Sequence, residues 1–276
     1  MEIAALLSED KKGIDRALDR IMPRRGRLAK AMRYSLFAGG KRFRPILCLN
    51  TARALGIKGS KVIAFACAVE LVHTFTLVHD DLPAMDDSDL RRGKPTSHKL
   101  FGEALAILAG DALSALAFKS IASFPAASGE LADALLKVVE GQVSDIESKK
   151  NELSIRQLKK IHQWKTAALL KASVRGAALI CKASTAKIEA LTKYADHLGM
   201  AFQITDDILE VTSTREKMGK PVKADSRKGF PFVLGLARSI ELAEAEKEKA
   251  RSALKCFGQR GEALKELADF VVKRSY

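Results

Sequence analysis

The stretch from residue 60 to residue 81 limits the fold of this chain more than any other segment. Its middle, residues 62–69, is apolar on every helical face, and helices of this kind lie at the centre of a bundle. It runs directly into the four aspartates of residues 80–87, and a second apolar segment ends in the acidic residues of 206–210. Because ionised carboxylates are almost never buried without partners, the pattern predicts two central helices whose carboxylates are neutralised by bound cations.

The rest of the sequence is also helical in character. Ala, Leu, Lys and Glu dominate, apolar residues recur every three or four positions, and no segment alternates as a strand does. We therefore expect an all-α fold, a single domain over 1–276 built as a bundle of about ten or more helices. Ser128 is expected to cap a helix that follows a break at Pro125. The predicted helices cover 9–21, 27–38, 43–56, 60–81, 102–123, 130–148, 155–162, 165–182, 187–211, 231–256 and 261–274.

Composition predicts a large core, reduced cysteines and a cytoplasmic location. Hydrophobic residues make up 47% of the 276 positions, which is ample for a large core. The four cysteines are far apart and form no CxxC pair, which indicates reduced core thiols in a cytoplasmic protein. The first residues lack the pattern of a signal peptide, and Glu70 and His73 interrupt the most apolar stretch. We therefore expect no stable membrane insertion.

The net charge of +14 has three interpretations: a solvated basic surface, a small anionic substrate, or nucleic acid. A nucleic-acid site needs a contiguous basic stripe with stacking aromatics. The nearest candidate, residues 24–27, has no aromatic residue interleaved. We expect no nucleic-acid partner, and an anionic substrate would account for a local part of the charge.

The two acidic clusters have the composition of a magnesium and phosphate site. All-oxygen donors suit a hard divalent ion, and Mg²⁺ commonly takes one or two carboxylates together with substrate phosphates. Asp206 and Glu210 share a helix face, whereas Asp80 and Asp86 would be out of register on a straight helix. Since Pro83 disrupts helical geometry, a bulge there is expected to bring Asp86 back toward Asp80.

Basic residues flank both clusters at positions that suit a phosphate ligand. Gly39 and Gly40 precede a helix start, where backbone N–H groups favour anions, and arginine forks suit diphosphate oxygens. His73 lies on roughly the same helix face as Asp80, while His79 is expected to point elsewhere. The basic candidates are Lys41, Arg42, Arg44, Arg91, Arg92, Lys165, Lys220 and Lys228.

Together these elements resemble the trans-isoprenyl diphosphate synthases, in particular the bacterial farnesyl diphosphate synthases. The similarity extends from about Leu28 to Arg274. Each element alone is weak, but their order and spacing are specific. They are residues 39–45, 70–96, 108–111, 165–166 and 202–207.

The resemblance implies an all-α bundle around a central cavity, usually homodimeric, with the two acidic motifs facing each other. It implies an Mg²⁺-dependent prenyltransferase that joins isopentenyl diphosphate to dimethylallyl or geranyl diphosphate, with Mn²⁺ as an alternative metal. Three Mg²⁺ ions are expected once diphosphate is bound. Their direct ligands would be Asp80, Asp86 and Asp206, supported by Asp81 and Asp207.

The resemblance also implies roles for the surrounding residues. The allylic diphosphate would be held by Arg91, Lys165 and Lys220. The residues expected to bind isopentenyl diphosphate are Lys41, Arg44, His73 and Arg92. Thr166 and Gln203 would lie beside the developing carbocation, and Gln142 and Asp145 match a Gln-x-x-Asp element near the site.

Product length is expected to depend on the depth of the apolar pocket below the first motif. Phe75 lies five residues before Asp80, and the motif contains two extra residues, Pro83 and Ala84. This arrangement resembles the enzymes that make the C15 product, farnesyl diphosphate. Phe75 is therefore predicted to form the floor that stops chain growth, with ordinary core packing as the alternative. The C10 and C20 products, geranyl and geranylgeranyl diphosphate, stay open as alternatives.

The second motif and the loop after it depart from the family pattern. Glu210 stands where the family usually has Asp, Lys223 replaces a Gly, and Lys228 begins a shortened element. These departures keep open a non-catalytic, synthase-like subunit that acts through a partner. A terpene cyclase ranks lower, because cyclases lack the second matched acidic motif and the isopentenyl diphosphate residues.

Overall fold

A computed structural model of the chain describes residues 3–148, 153–212 and 229–273, and these fold almost entirely into helices, as predicted. The α-helices are α1 (Ile3–Ile21), α2 (Arg27–Leu36), α3 (Phe43–Ala54), α4 (Ile63–Asp80), α5 (Ser97–Phe101), α6 (Glu103–Ser120), α7 (Pro125–Glu147), α8 (Ile155–His162), α9 (Ala168–Ile180), α10 (Thr185–Thr212), α11 (Phe230–Leu234), α12 (Leu236–Ala253) and α13 (Glu262–Lys273). Shorter elements are 3₁₀ turns at Gly59–Val62 and Lys255–Gly261, a π turn at Gln163–Ala167, and a hairpin of β1 (Leu90–Arg91) and β2 (Lys94–Pro95).

Helix α4 lies at the centre of the bundle, as its apolar sequence predicted. It packs against α3, α6 and α9, and Phe65, Leu71 and Val72 are fully buried. Close contact with α9 depends on Gly176, because a Cβ atom there would lie 2.0 Å from the ring of Phe65. The acidic end of α4 is therefore held on a rigid central element.

By length and composition, Gly59–Asp80 would also qualify as a membrane span, with a mean hydropathy of 1.7. Contrary to the sequence interpretation, Glu70 and His73 therefore do not keep this stretch from having the length and composition of a span. Of its most apolar 18 residues, 61% are buried inside the described bundle. Its packing against neighbouring helices accounts for the apolar sequence.

The main errors in the predicted helices fall at proline and glycine. Pro125 is the first residue of α7 rather than part of the break before it, because proline is well suited to the first helical position. Ser128 therefore lies inside the helix rather than at its cap. Gly235, with a φ of 81°, splits the predicted helix 231–256 into α11 and α12. The predicted helix 165–182 begins instead with the π turn Gln163–Ala167.

Candidate active site

A cavity of about 430 Å³ is lined by α4, α7 and the π turn. Asp80 and Phe75 line it from α4, and Lys165 and Thr166 line it from the π turn. Gln142 contributes from α7, where it is 7% exposed, and neither polar atom of its amide has a hydrogen-bond partner among the described residues. The structure thus brings together the polar groups and the aromatic side chain that the sequence assigned to one site.

A second cavity, of about 140 Å³, adjoins the first. Its lining includes all four residues expected to bind isopentenyl diphosphate, Lys41, Arg44, His73 and Arg92. Arg44 and His73 line both cavities, and Arg44 Nη1 lies 3.3 Å from His73 Nε2. Burial, followed by the charge of Arg44, holds the pKa of His73 well below its ordinary value. The second cavity is therefore cationic because of its arginines and lysine, with a neutral imidazole among them.

The loop after α4 folds back on the helix end, as the bulge at Pro83 predicted. The backbone N–H of Asp86 donates to the carbonyl of Asp80 at 3.0 Å, and that of Ser88 donates to the carbonyl of Asp81 at 3.2 Å. Asp87 adopts a left-handed backbone with a φ of 45°. These contacts bring Asp86 near Asp80 although the two are six residues apart.

Asp80 is in an environment that disfavours its charge. Burial raises the pKa of Asp80 to about 6, the nearby charge of Lys165 opposes the shift, and that of Asp86 adds to it. No group of three or more His, Cys, Asp or Glu side chains in the described part of the chain is arranged to hold a metal ion. Two close carboxylates, one costly to ionise, fit Mg²⁺ that completes its shell with phosphate oxygens.

Asp81 is not available in the same way, because Arg91 engages its carboxylate. Arg91 Nε donates to Asp81 Oδ1 and Oδ2 at 2.9 and 2.8 Å, and Arg91 Nη2 donates to Oδ1 at 2.5 Å. Asp81 is 3% exposed. The pair fixes the hairpin β1–β2 to the end of α4, so Asp81 stabilises the first acidic motif through this ion pair.

The π turn Gln163–Ala167 presents Lys165 and Thr166 to the first cavity. Lys165 Nζ donates to Asp145 Oδ2 at 2.6 Å. Neighbouring helices reach the turn at two glycines: a Cβ on Gly141 of α7 would lie 2.5 Å from the backbone N of Lys165, and one on Gly199 of α10 would lie 2.4 Å from the Cβ of Ala167. Such π turns are frequent at functional sites because they re-aim side chains within a helix.

The second acidic motif reaches the cavity through a chain of hydrogen bonds. Thr166 Oγ1 donates to Gln203 Oε1 at 2.8 Å, and Gln203 Nε2 donates to Asp207 Oδ1 at 2.9 Å. Asp206 is half-buried beside Asp207 near the end of α10, and Glu210 is exposed. Helix α10 thus contacts the π turn directly, and the two motifs belong to one connected site.

A family model described as polyprenyl synthetase matches residues 25–272. The chain belongs to the polyprenyl synthetase family. It is 41% identical to the farnesyl diphosphate synthase of Geobacillus stearothermophilus, over 100% of this chain and 99% of that protein. It is 43% identical to large subunit 1 of a heterodimeric geranylgeranyl pyrophosphate synthase of Arabidopsis thaliana, over 95% of this chain and 76% of that protein.

The fold agrees with this family. A polyprenyl synthase of Caulobacter crescentus, solved with calcium and isoprenyl diphosphate, matches with a TM-score of 0.91 and 31% identity over 99% of this chain and 97% of that chain. The resemblance read from the motifs is confirmed. The family is one of prenyltransferases whose substrates are isoprenyl diphosphates.

Within the candidate site, two sequence assignments change. Arg42 is a buried structural residue, because it pairs with Glu70 at 2.8 Å and Asp15 at 2.7 Å. His79 does not point away: its ring lines the first cavity, lies edge-on to Phe75, and is 3.0 Å from the carbonyl of Ile107.

Other residues of the site carry no local signal or fall outside the structure. His162 and Gly141 were missed, since only tertiary contacts reveal them. Lys220, Lys223 and Lys228 lie outside the described residues, and their assignments stay predictions.

Proposed function

We propose that the chain is a Mg²⁺-dependent farnesyl diphosphate synthase that condenses isopentenyl diphosphate with dimethylallyl or geranyl diphosphate. We further propose that it acts as a cytoplasmic homodimer. The C15 product is supported by the position of Phe75. It lines the same cavity as Asp80 and lies five residues before it on α4. An aromatic ring about one and a half helical turns from the reacting end would limit how far an apolar chain can grow.

The residues fit the proposed metal. When bound, Mg²⁺ would supply charge neutralisation to the leaving diphosphate. Asp80, Asp86 and Asp206 would hold it, and the raised pKa of Asp80 is consistent with a carboxylate whose charge needs a cation. Asp81, engaged by Arg91, would keep the loop in place.

The chain's own residues would divide the remaining work. Lys41, Arg44 and Arg92 would bind the diphosphate of isopentenyl diphosphate in the second cavity, beside His73. Lys165 would bind the allylic diphosphate, with its Nζ already oriented by Asp145. Thr166 and Gln203 would present oxygen atoms to the allylic cation, and the apolar wall would exclude the water that quenches it.

A homodimer is supported by the exposure of the cavity wall. Val139 and Val143 line the first cavity from α7 and are 51% and 48% exposed. A wall that faces solvent would admit water to a site that must be dry. A second copy packed on α7 would close it.

The C20 product is the second candidate. Relatives named geranylgeranyl diphosphate synthase, such as that of Cyanophora paradoxa, are as similar to this chain, at 40% identity, as the farnesyl diphosphate synthase named above. Sequence similarity alone therefore does not distinguish the two products. They must be distinguished by the depth of the cavity.

The deciding experiment incubates the purified chain with isopentenyl and dimethylallyl diphosphates, with Mg²⁺ or with excess chelator, and identifies products by mass spectrometry. A Mg²⁺-dependent C15 diphosphate is expected. A C20 product would favour the second candidate, and activity that survives the chelator would refute the metal dependence. No product without an added partner would favour a non-catalytic subunit.

A further inference from the structure

His162 contacts the second acidic motif although it belongs to neither substrate-binding set. It is the last residue of α8, directly before the π turn, and its side chain is 13% exposed. Its Nε2 lies 3.3 Å from Asp207 Oδ2 without the geometry of a hydrogen bond, and its ring stacks on that of Phe230 with centroids 5.6 Å apart. Three elements, α8, α10 and α11, therefore meet at one imidazole.

Asp207 is engaged on both of its carboxylate oxygens. Oδ1 accepts from Gln203 Nε2, and Oδ2 accepts from the backbone N–H of Phe230 at 2.9 Å. Gly229 permits this approach, because a Cβ there would lie 3.0 Å from Asp207 Oδ2 at a φ of 112°. Because both of its oxygens accept hydrogen bonds, Asp207 influences the cavity through the residues that donate to it.

These contacts give the hydrogen bonds of Gln203 and Thr166 one direction. An ionised carboxylate only accepts, so the Gln203 amide must turn its NH₂ group to Asp207 and its oxygen to Thr166. The Thr166 hydroxyl then donates to Gln203, and its oxygen keeps lone pairs for the cavity that it lines. Oxygen lone pairs stabilise a positive charge that develops there.

We propose that His162 is a positioning residue of the prenyl transfer. By packing against Asp207 and stacking on Phe230, it holds the carboxylate that orients Gln203, and through Gln203 the Thr166 hydroxyl. It also ties the π turn to the second acidic motif. This assignment rests on the proposed function only in that it assumes an allylic cation beside Thr166.

The test compares three substitutions at His162 with a matched control. His162→Ala removes the contact with Asp207 and the stacking, His162→Phe keeps an aromatic ring without Nε2, and His162→Gln returns a polar N–H group without the ring. His197→Ala is the control, because His197 pairs with Glu246 at 2.6 Å and neither residue lines either cavity. Each variant is assayed for kcat and for the KM of both diphosphates, after its fold is checked by circular dichroism.

A second readout needs no turnover. Trp164, the only tryptophan of the chain, lies in the π turn, so its fluorescence quenching by acrylamide reports on that turn in protein without metal or substrate. We expect stronger quenching in His162→Ala than in the unmodified chain or in His197→Ala. Unchanged quenching would overturn the link between His162 and the π turn.

In the kinetic assay, His162→Ala and His162→Phe should each lower kcat about tenfold or more while both KM values change less than about threefold. His162→Gln should recover kcat to within about threefold of the unmodified chain, and His197→Ala should match it. A kcat for His162→Phe close to that of the unmodified chain, or a His162→Gln no faster than His162→Phe, would overturn the proposal. Absence of turnover in the unmodified chain would instead refute the proposed function, while the Trp164 comparison would still test the positioning.

Discussion

Phe75 and His79 form one side of the cavity in which the product would grow. The two rings are 5.7 Å apart in an edge-to-face arrangement, and the His79 ring fills the space where Gly110 has no side chain: a Cβ there would lie 2.2 Å from His79 Nε2. Edge-to-face pairs of this kind have a preferred geometry. The orientation of Phe75 is therefore fixed by a neighbour that its own position in the sequence does not reveal.

Phe75→Ala should lengthen the product. Loss of the ring removes the proposed floor and extends the cavity along α4, so C20 and longer diphosphates are expected in place of C15, measured by mass spectrometry of the extracted products. Phe118→Ala on α6 is the control, since Phe118 packs against the core without lining the cavity and should leave product length unchanged. A Phe75→Ala variant that still stops at C15 would assign Phe75 to core packing.

The raised pKa of Asp80 predicts how metal binding depends on pH. Between 3.8, its ordinary value, and about 6, its value here, the folded chain keeps a proton that the unfolded chain releases. Without metal, this carboxyl therefore makes the fold less stable as the pH rises through that window. A divalent ion needs the ionised form and offsets its cost, so Mg²⁺ should stabilise the chain more above the window than inside it.

The measurement is the shift in Tm caused by Mg²⁺ and inorganic pyrophosphate at about pH 7.5 and about pH 5.5. We expect the shift at the higher pH to be larger by roughly 2 °C or more, which corresponds to about 1 kcal/mol in a chain of this size. Asp80→Asn should remove the difference, and Asp133→Asn, at an exposed position of α7, should keep it. Equal shifts at both pH values would contradict the prediction.

At the scale of elements, the π turn positions Lys165 and Thr166 in the cavity. Two glycines determine how closely the neighbouring helices can approach this turn. Gly141 brings α7 against the backbone of Lys165, and Gly199 brings α10 against Ala167. Glycine costs a helix interior about 0.5–1 kcal/mol relative to alanine. Close packing on both sides of the turn explains why glycine is used at both places.

Gly141→Ala should displace the π turn. The added methyl group overlaps backbone atoms that cannot rotate away, so we expect a loss of about 1–3 kcal/mol in the free energy of unfolding and a fall in kcat of about tenfold or more. Gly129→Ala on the same helix is the control, because nothing lies within 4 Å of its Cβ position, and it should be neutral or slightly stabilising. Denaturant unfolding and steady-state kinetics would test both, and matching behaviour of the two variants would count against the packing argument.

The sequence predicted those elements whose signals are local. Helix α8 has its predicted bounds, 155–162, because Ser154 and Gln157 form a capping box at its start. The bulge at Pro83 was predictable for the same reason, since proline acts on its immediate neighbours. The π turn, the seat of His79 on Gly110 and the contact of His162 with Asp207 were not predictable, because each depends on a helix distant in sequence.

At the scale of the whole molecule, one group of exposed apolar side chains lies near the open side of the cavity. On α6, Ile107 and Leu108 are 43% and 55% exposed, and the carbonyl of Ile107 contacts His79 on the cavity wall. On α7, Leu136 is 64% exposed, one turn from Val139, which lines the same cavity. Apolar surface that adjoins a reaction site and is not covered by this chain is typical of a protein interface.

Leu136→Glu should therefore convert the proposed homodimer to a monomer, because a second copy packed on α7 would bury this side chain and cannot readily accommodate its charge. Light scattering after size-exclusion chromatography would give the mass. The monomer should also open the cavity wall to water, so part of the allylic substrate should appear as the corresponding alcohol. Ile240→Glu, at a comparably exposed position on α12, should stay dimeric and release no alcohol. A Leu136→Glu variant that remains dimeric would exclude this face of α7 from the interface, and a monomeric variant that forms only diphosphate products would show that the wall is closed without a partner.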